Sequence, residues 1–597
     1  MRSLNIITIL GLVSSSYISC SKTIIDTVSN VPKDSTVVII PPVEPKIASS
    51  IGFFLDNWQP KSFTPPLFTE VTPPNTAINV VTVDASDIIT KIPSNIFGHN
   101  ANTWMGTLVG TPSLVTDVKN LKPNIIRWPA GSGSNSYFWN ASPTQDPNNR
   151  NRQTPSADFM KTWGIPDKYI DKDGKAIDSW FFYGKTNDNW RASLDNYYDF
   201  LSQTNSKGSI CVNYSFARYG TSKNPVAMAA KLAADWVRYD KGRTEYWEVG
   251  NENYADWEAG YRIDVSKNQD GQPEFLTGKL YAQHFKVFAD SMRKAAAEIG
   301  VKIKIGAVFQ ESPTQDWQNN TTKTWNATLV PELNNKADFY IVHHYITPYG
   351  ENSNAATILN AALSHPEKMM KFVTNEIVSN GGEIKPIAFT EWNMWARDQK
   401  QQVSNTSGVF AIIVQAESIK NKYGLAARWD LLNGWENGND HGLFSDGGSS
   451  DDPRMNPRPS FYHMYYFQKI IGDRLVSSNV TGTANNLVTT AIKAYASTYS
   501  SGEINVTLLN TSSIAQNVEL KTKNFNAGNR FYWYSLEGSN DNGEFSRKVI
   551  VNGFGPKGVA GGPADYASLK AFSASTNKGI KVVVPAYGSV CLVVEKR

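Results

Sequence analysis

Two short stretches carry the residue types that could do chemistry together. Tyr246-Trp247-Glu248-Val249-Gly250-Asn251-Glu252-Asn253 is an aromatic and β-branched run that breaks off in Gly, Asn and Glu. This is the pattern of a buried parallel strand whose carboxyl end opens into a polar site. Pro386-Ile387-Ala388-Phe389-Thr390-Glu391-Trp392-Asn393-Met394-Trp395 ends the same way, on a carboxylate among aromatics. Two carboxylates delivered by two strands suit cleavage of a glycosidic bond. One protonates the leaving oxygen, and the other attacks the sugar or activates water. The two stretches lie about three βα units apart, which places Glu252 at the end of a fourth barrel strand and Glu391 at the end of a seventh. Glu252 is then the acid/base, its acidity tuned by Trp247, Tyr254 and Trp257. Asn251 is placed to hydrogen-bond the hydroxyl next to the reacting carbon. Glu391 is the nucleophile, oriented by Tyr345 and by Arg127, whose guanidinium favours the ionised carboxylate.

Other carboxylates compete for these roles and read less well. Glu248 faces away from the residue that follows it and suits a buried ion pair. Glu376, in Asn375-Glu376, sits in a helical stretch without a preceding strand and reads as surface. Glu311 and Glu436 follow the fifth and eighth strands and could contact substrate, but neither sits in a comparable segment. His343 and His344 read as orienting groups rather than metal ligands. The Asp- and Gly-rich run from Asp440 to Asp452 lacks regular calcium-ligand spacing and reads as a loop. No metal and no cofactor is expected.

The elements that must position these groups can be traced along the chain. Candidate strands are Asn95 to Asn100, Asn124 to Trp128, Ser209 to Tyr214, Glu245 to Gly250, Lys302 to Val308, Phe339 to His344, Ile387 to Glu391 and Ala426 to Leu431. Helical patterns separate several of them. One opens on Asn224-Pro225 and turns Val226, Ala230, Ala233 and Val237 to one face; another follows Thr277 and carries Tyr281, Phe285, Phe288 and Met292. Strands alternating with helices indicate a parallel sheet. Eight such repeats, with no GxGxxG or P-loop, favour a closed (β/α)8 barrel. The long insertion from Tyr137 to Trp190 is studded with aromatics and reads as a substrate wall. After Ile471 come short strands separated by turn residues, the pattern of an all-β sandwich. The fold class is α/β, a (β/α)8 barrel with an appended sandwich. The expected divisions are 1–20 signal peptide, 21–75 tether rich in Pro, Ser and Thr, 76–472 barrel with its alternation starting near Asn79, and 473–597 sandwich.

Composition bounds the rest. A chain of 597 residues with 41% apolar and 19% charged residues is a soluble globular protein large enough for more than one domain. A net charge of +4 without Lys/Arg blocks gives no basis for nucleic-acid binding. Seventeen Trp, 26 Tyr and 27 Phe are compatible with stacking on sugar rings. Three scattered Cys make neither a disulfide framework nor a metal cluster. Arg2, the apolar run Leu4 to Val13 and the small residues up to Ser19 form a secretory signal. Tyr17-Ile18-Ser19-Cys20 resembles a bacterial lipobox, with Tyr17 in place of the usual Leu. The expectation is an exported lipoprotein of the cell envelope, in the outer membrane, lipidated at Cys20; secretion after a cut near Ser19 is the alternative. The lipid anchor is the only membrane contact expected, since no stretch is long enough to span. Phe53-Phe54-Leu55 and Trp58 are too apolar for a pure tether and suit docking on the folded body.

Four segments make the chain resemble the clan A retaining glycoside hydrolases, and within them the α-L-arabinofuranosidases of glycoside hydrolase family 51. They are Ile92-Pro93-Ser94-Asn95-Ile96-Phe97-Gly98-His99-Asn100, Ile126-Arg127-Trp128-Pro129-Ala130-Gly131, Trp247 to Glu252, and Glu391-Trp392-Asn393-Met394-Trp395; His343-His344-Tyr345 fits the clan's His-x-Tyr pair. The resemblance implies Glu252 as acid/base, Glu391 as nucleophile, and substrate contacts from Arg127, Trp128, Asn213, Asn251, His343, Tyr345 and Trp395. Ala130-Gly131-Ser132 stands where the family has Gly-Gly-Asn, which removes an amide that would grip the furanose. The implied substrate is an oligo- or polysaccharide. An endo-acting β-glycanase on the same barrel, or an inactive surface glycan-binding lipoprotein, are the alternatives.

Overall fold

The computed structural model describes residues 39–129, 131–186, 188–395, 399–433, 441–447, 452–482, 491–540 and 543–597. Cys20, Ala130 and Glu436, and residues 440 and 448–451 of the 440–452 run, lie outside the described residues. Eight parallel strands close into a barrel: β1 (Gly98–Asn100), β2 (Ile125–Trp128), β3 (Lys207–Val212), β4 (Thr244–Val249), β5 (Lys304–Val308), β6 (Phe339–Tyr345), β7 (Ile387–Asn393) and β8 (Leu425–Arg428). Each pairs with its sequence neighbour, and β8 returns to β1. All eight correspond to the strands read from the sequence. A helix follows each strand; those after β3 (Pro225–Asp240) and β4 (Gly278–Glu298) bury the stripes expected of them, Ala230, Ala233 and Val237 in one, Tyr281, Phe285, Phe288 and Met292 in the other. Thr277 caps the second by accepting from the Leu280 amide, whereas the Asn224 side chain makes no capping bond and Pro225 alone marks the first.

The end of the barrel away from the catalytic candidates is sealed by the amino-terminal segment. Gly52–Leu55 forms one 3-10 turn, and Ile51, Phe54 and Leu55 pack among Ile125, Tyr246, Phe339, Ile341, Ala388, Leu425 and Ala427. The Phe54 ring centroid lies 5.1 Å from that of Tyr246 and 5.8 Å from that of Phe339. Downstream, the Trp58 indole donates to the Asp473 carbonyl and Phe68–Glu70 pairs with Ala571–Ser575. The stretch expected to be a tether is therefore built into the fold from Ile40 on, where the Ile40 amide donates to Asn524 and Glu44 pairs with Arg474. Its prolines spell out an extended conformation, which serves a strap as well as a linker.

The second layer is an 11-stranded, mostly antiparallel sheet whose halves close over one apolar core including Val81, Val506, Leu508, Phe531 and Leu592. The boundary read at residue 76 is corrected here. Asn79–Lys91 is not a barrel strand; it lies between Arg474–Gly482 and Gln516–Lys523 in this sheet. Its inside–outside burial alternates at both ends, as it does in a half-buried sheet, while barrel strands are buried along almost their whole length. The chain thus starts the sheet, builds the barrel and returns to finish the sheet. His463, on the helix after β8, ties the two layers: its ring nitrogens bond Ser589 and Asn405 at 3.0 and 2.8 Å.

Phe54→Ala empties the plug under the barrel. Loss of a buried phenyl ring should destabilise the protein by about 3 kcal/mol, read as a lower thermal midpoint. An unchanged midpoint would show that the strap seals nothing.

Candidate active site

Strand alternation decides which side chains reach the barrel interior. On β2, Arg127 points inward, so Ile126 and Trp128 point outward to the helices. Arg127 is 1% exposed. Its Nε donates to Glu248 at 2.8 Å, Nη1 to Asn100 at 3.0 Å and to Glu391 at 3.2 Å, and Nη2 to Asn251 at 2.9 Å. Glu248 is thus the buried ion-pair partner its strand position suggested. Burial works against the Arg127 cation, but Glu248, Cys211 and Glu391 more than compensate and raise its pKa. Gly131 lets the loop after β2 approach the site: a Cβ there would sit 3.3 Å from Glu391 Oε2.

Glu391 stands on β7 in register with His343 on β6. The Tyr345 hydroxyl donates to Glu391 Oε1 at 2.6 Å. Burial pushes the Glu391 pKa above the usual carboxylate range and Glu252 adds to this, while His343, Arg127 and Tyr345 oppose it. The guanidinium acts in the expected direction but does not outweigh burial. Tyr345 stacks on Trp395 with centroids 4.9 Å apart, which sets one wall of the mouth.

Glu252 follows β4 across a sharp turn in which Gly250 has φ +83° and Glu252 itself φ +45°. A non-glycine residue in this region is strained, and such strain gathers at functional sites. His343 Nδ1 lies 2.9 Å from Glu252 Oε1, the His343 Nε2 bonds Thr390 at 3.0 Å, and the Trp257 indole donates to Glu252 Oε2 at 3.3 Å. Burial lifts the Glu252 pKa to about 7, and the Glu311 charge adds to the rise against weaker opposition from Trp257 and Arg127. This corrects the expected source of the tuning. Trp247 faces outward against Trp236, Tyr254 donates to Glu311, and Trp257 lowers the value.

One oxygen from each of Glu252 and Glu391 lies within 4.8 Å of the other, with His343 within the same span. These three are the described residues whose atoms come close enough to hold a metal ion. Their hydrogen bonds already account for the arrangement: Glu252 and Thr390 take the imidazole, Arg127 and Tyr345 take Glu391. Burial lowers the His343 pKa, against the opposing effect of the Glu391 charge.

Of the expected contacts, Arg127, Asn251, His343, Tyr345 and Trp395 gather around the two carboxylates. Trp128 and Asn213 do not. Trp128 is wholly buried on the helix side, stacked on Tyr197 at 4.8 Å with its indole bonded to Tyr137. Asn213 spends its amide locally, accepting from the Phe216 amide and donating to Tyr219. Much of the aromatic insertion is packing, since Tyr137, Phe138, Phe181 and Tyr183 are buried, but Trp180 and Trp190 within it are exposed. Exposed aromatics also stand on the loops after β4, β5 and β6, at Trp257, Trp317 and Tyr349. Two residues escaped the sequence reading. Glu258 and Asn135 are buried at the turn that carries Glu252 and bond Asn251. Both sit in polar, turn-like stretches that read as surface, and the one available signal was that Glu258 shares the loop after β4 with Glu252.

No protein-family model matches the chain, and no curated protein matches it. Solved structures of similar fold are found. The thermostable GH51 α-L-arabinofuranosidase from Thermotoga petrophila RKU-1 is 16% identical with a TM-score of 0.56, over 87% of this chain and 100% of that one. A Paenibacillus polymyxa xyloglucanase from glycoside hydrolase family 44 is 10% identical with a TM-score of 0.52, over the same shares. A 4-O-α-L-rhamnosyl-β-D-glucuronidase from Fusarium oxysporum 12S is 13% identical with a TM-score of 0.53, over 89% of this chain and 100% of that one. The resemblance read from four short segments is matched by similarity of fold, over nearly the whole described chain, to a family 51 arabinofuranosidase and to other glycosidases.

Proposed function

We propose that this protein is a retaining glycoside hydrolase working by double displacement, with an α-L-arabinofuranoside as its substrate. The observation that carries the reading is the pair Glu252 and Glu391, within 4.8 Å at one mouth of the barrel. Retaining enzymes hold their carboxyl groups about 5 Å apart, whereas inverting enzymes leave room for a water. The environments differ as the roles require. Glu252, lifted to about 7 and, among the described residues, with no Lys or Arg in hydrogen-bond contact, keeps a proton for the leaving oxygen. Glu391, bonded to Arg127 and Tyr345, attacks the anomeric carbon; the glycosyl-enzyme ester is then opened by water, which Glu252 deprotonates. A glycan-binding protein without chemistry would have no use for this matched pair. The arabinofuranoside rests on the four sequence segments and on the family 51 neighbours. An endo-acting β-glycanase is the second reading, favoured by Trp257, Trp317 and Tyr349, which stand 61%, 80% and 59% exposed on successive loops around the mouth and could stack on a longer chain.

The discriminating substrate is 4-nitrophenyl α-L-arabinofuranoside. Hydrolysis with retained configuration by proton NMR is expected, and Glu252→Ala should keep turnover of this good leaving group and form a glycosyl azide with added azide. Release of oligosaccharides from a β-glycan without action on the aryl furanoside would move the assignment to the second reading. A further outcome concerns pH. Because the acid must be protonated, the upper limb of kcat/KM should follow Glu252, and Glu311→Gln, by removing a neighbouring charge, should move that limb to lower pH. A limb unmoved or raised would contradict the electrostatics described here.

Export as a lipoprotein anchored through Cys20 remains part of the proposal, resting on the amino-terminal sequence. No helix among the described residues is long and apolar enough to cross a membrane. The wild-type protein should sediment with membranes and Cys20→Ala should release it; a wild type found wholly in the soluble fraction would refute the anchor.

A further inference from the structure

Glu258 is the buried acid of the barrel mouth that the double-displacement scheme leaves without a task. It is 4% exposed. Its partners are neutral: Ser132 Oγ donates to Oε1 at 2.6 Å, Asn135 Nδ2 to Oε2 at 2.5 Å, and Asn251 Nδ2 to Oε1 at 3.3 Å. Among the described residues no cationic side chain forms a salt bridge with it. Burial raises its pKa to about 8, Glu252 adds to the rise, and the three hydrogen bonds oppose it. An acid buried without a cation is costly to ionise, and packing alone does not explain why an acid stands here.

The hydrogen bonds around Glu258 converge on one neighbour. The Asn251 amide is pinned at both ends, because Oδ1 accepts from Arg127 Nη2 at 2.9 Å while Nδ2 donates to Glu258. One N–H of Nδ2 is left for a ligand. Asn135 steadies the same turn: it donates to the Asn251 backbone carbonyl at 2.8 Å and accepts from the Asn251 backbone N–H at 3.4 Å and from Asn253 Nδ2 at 3.3 Å, on either side of the strained Glu252. Asn135 cannot flip without losing these bonds, so Glu258 Oε2 always meets a donor. Only an acceptor serves that oxygen.

We propose that Glu258 is a positioning residue: acting through Asn251, and itself held by Ser132 and Asn135, it fixes the Asn251 amide so that it donates to the sugar hydroxyl beside the reacting carbon. The proposal rests on the glycosidase reading above. It gives Ser132 a function as well, since the hydroxyl that stands in place of a sugar-gripping amide ties down Glu258 instead.

The test uses the full-length protein and a panel of 4-nitrophenyl glycosides, the best of them paired with its 2-deoxy analogue. Glu258→Gln keeps the shape but turns an NH2 group toward a donor. Its kcat on the parent glycoside should fall about 100-fold, the scale of a small misplacement in an active site, with KM within about threefold. On the 2-deoxy glycoside, where the hydroxyl is missing, wild type and variant should differ by less than about threefold. The double variant with Asn251→Ala should be no worse than Asn251→Ala alone. Ser132→Ala, a milder change, should show the same convergence with a smaller loss and carries the comparison if Glu258→Gln does not fold. Equal losses on both glycosides, losses that multiply with Asn251→Ala, or an unaffected Glu258→Gln would each overturn the proposal while leaving the glycosidase standing. A wild type inert on the whole panel and on β-glycans alike would overturn the glycosidase reading, and this proposal with it.

Discussion

A guanidinium withdrawn from water sets the terms for everything at the mouth of this barrel. Arg127 is buried, and four of its donor contacts go to Glu248, Asn100, Glu391 and Asn251, which come from three different strands or their ends. A buried cation must find acceptors in fixed directions, and the planar fork of arginine supplies those directions where a lysine would not. Glu248 neutralises it from below and leaves its outer face for Glu391. Removing the guanidinium would strand Glu248 at 0% exposure, a loss of about 3–5 kcal/mol for a broken buried pair. One residue thus couples the integrity of the barrel to the placement of the proposed nucleophile.

The same charge separates the two candidate catalytic carboxylates into different roles. Glu391 lies directly against Arg127 and Tyr345; among the described residues the Glu252 carboxylate is bonded by His343 and the Trp257 indole. Two acids so close cannot both ionise cheaply, so a single negative charge settles where the donors are. The left-handed turn at Gly250 and Glu252 is what brings the second acid within reach, and Asn135 and Glu258 hold that turn from behind.

Much of this was legible in the sequence because barrels announce themselves locally. Each strand is a short apolar run, and a carboxylate at its end stands out against it, as at Glu252 and Glu391. Alternation also decides Trp128: with Arg127 inward, its side chain must face the helices. What stayed hidden depends on contacts between distant residues. Asn79–Lys91 reads like any strand until its partners, hundreds of residues downstream, are known. Phe53-Phe54-Leu55 reads as apolar enough to dock, but the place where it docks, the open floor of the barrel, depends on residues far along the chain. Glu258 looks like one more loop acid, and only the fold shows that it is enclosed by Ser132, Asn135 and Asn251.

The central claim is that Glu391 forms a covalent bond to the sugar while Glu252 moves the proton. Trapping that bond tests it most directly: a 2-deoxy-2-fluoro glycoside with a fast leaving group slows both steps, and peptide mapping by mass spectrometry locates the sugar. The account predicts one glycosyl adduct per chain, on the peptide containing Glu391 and on that residue within it. An adduct on Glu252, or continued turnover of the fluoro sugar with no adduct on either carboxylate, would contradict it.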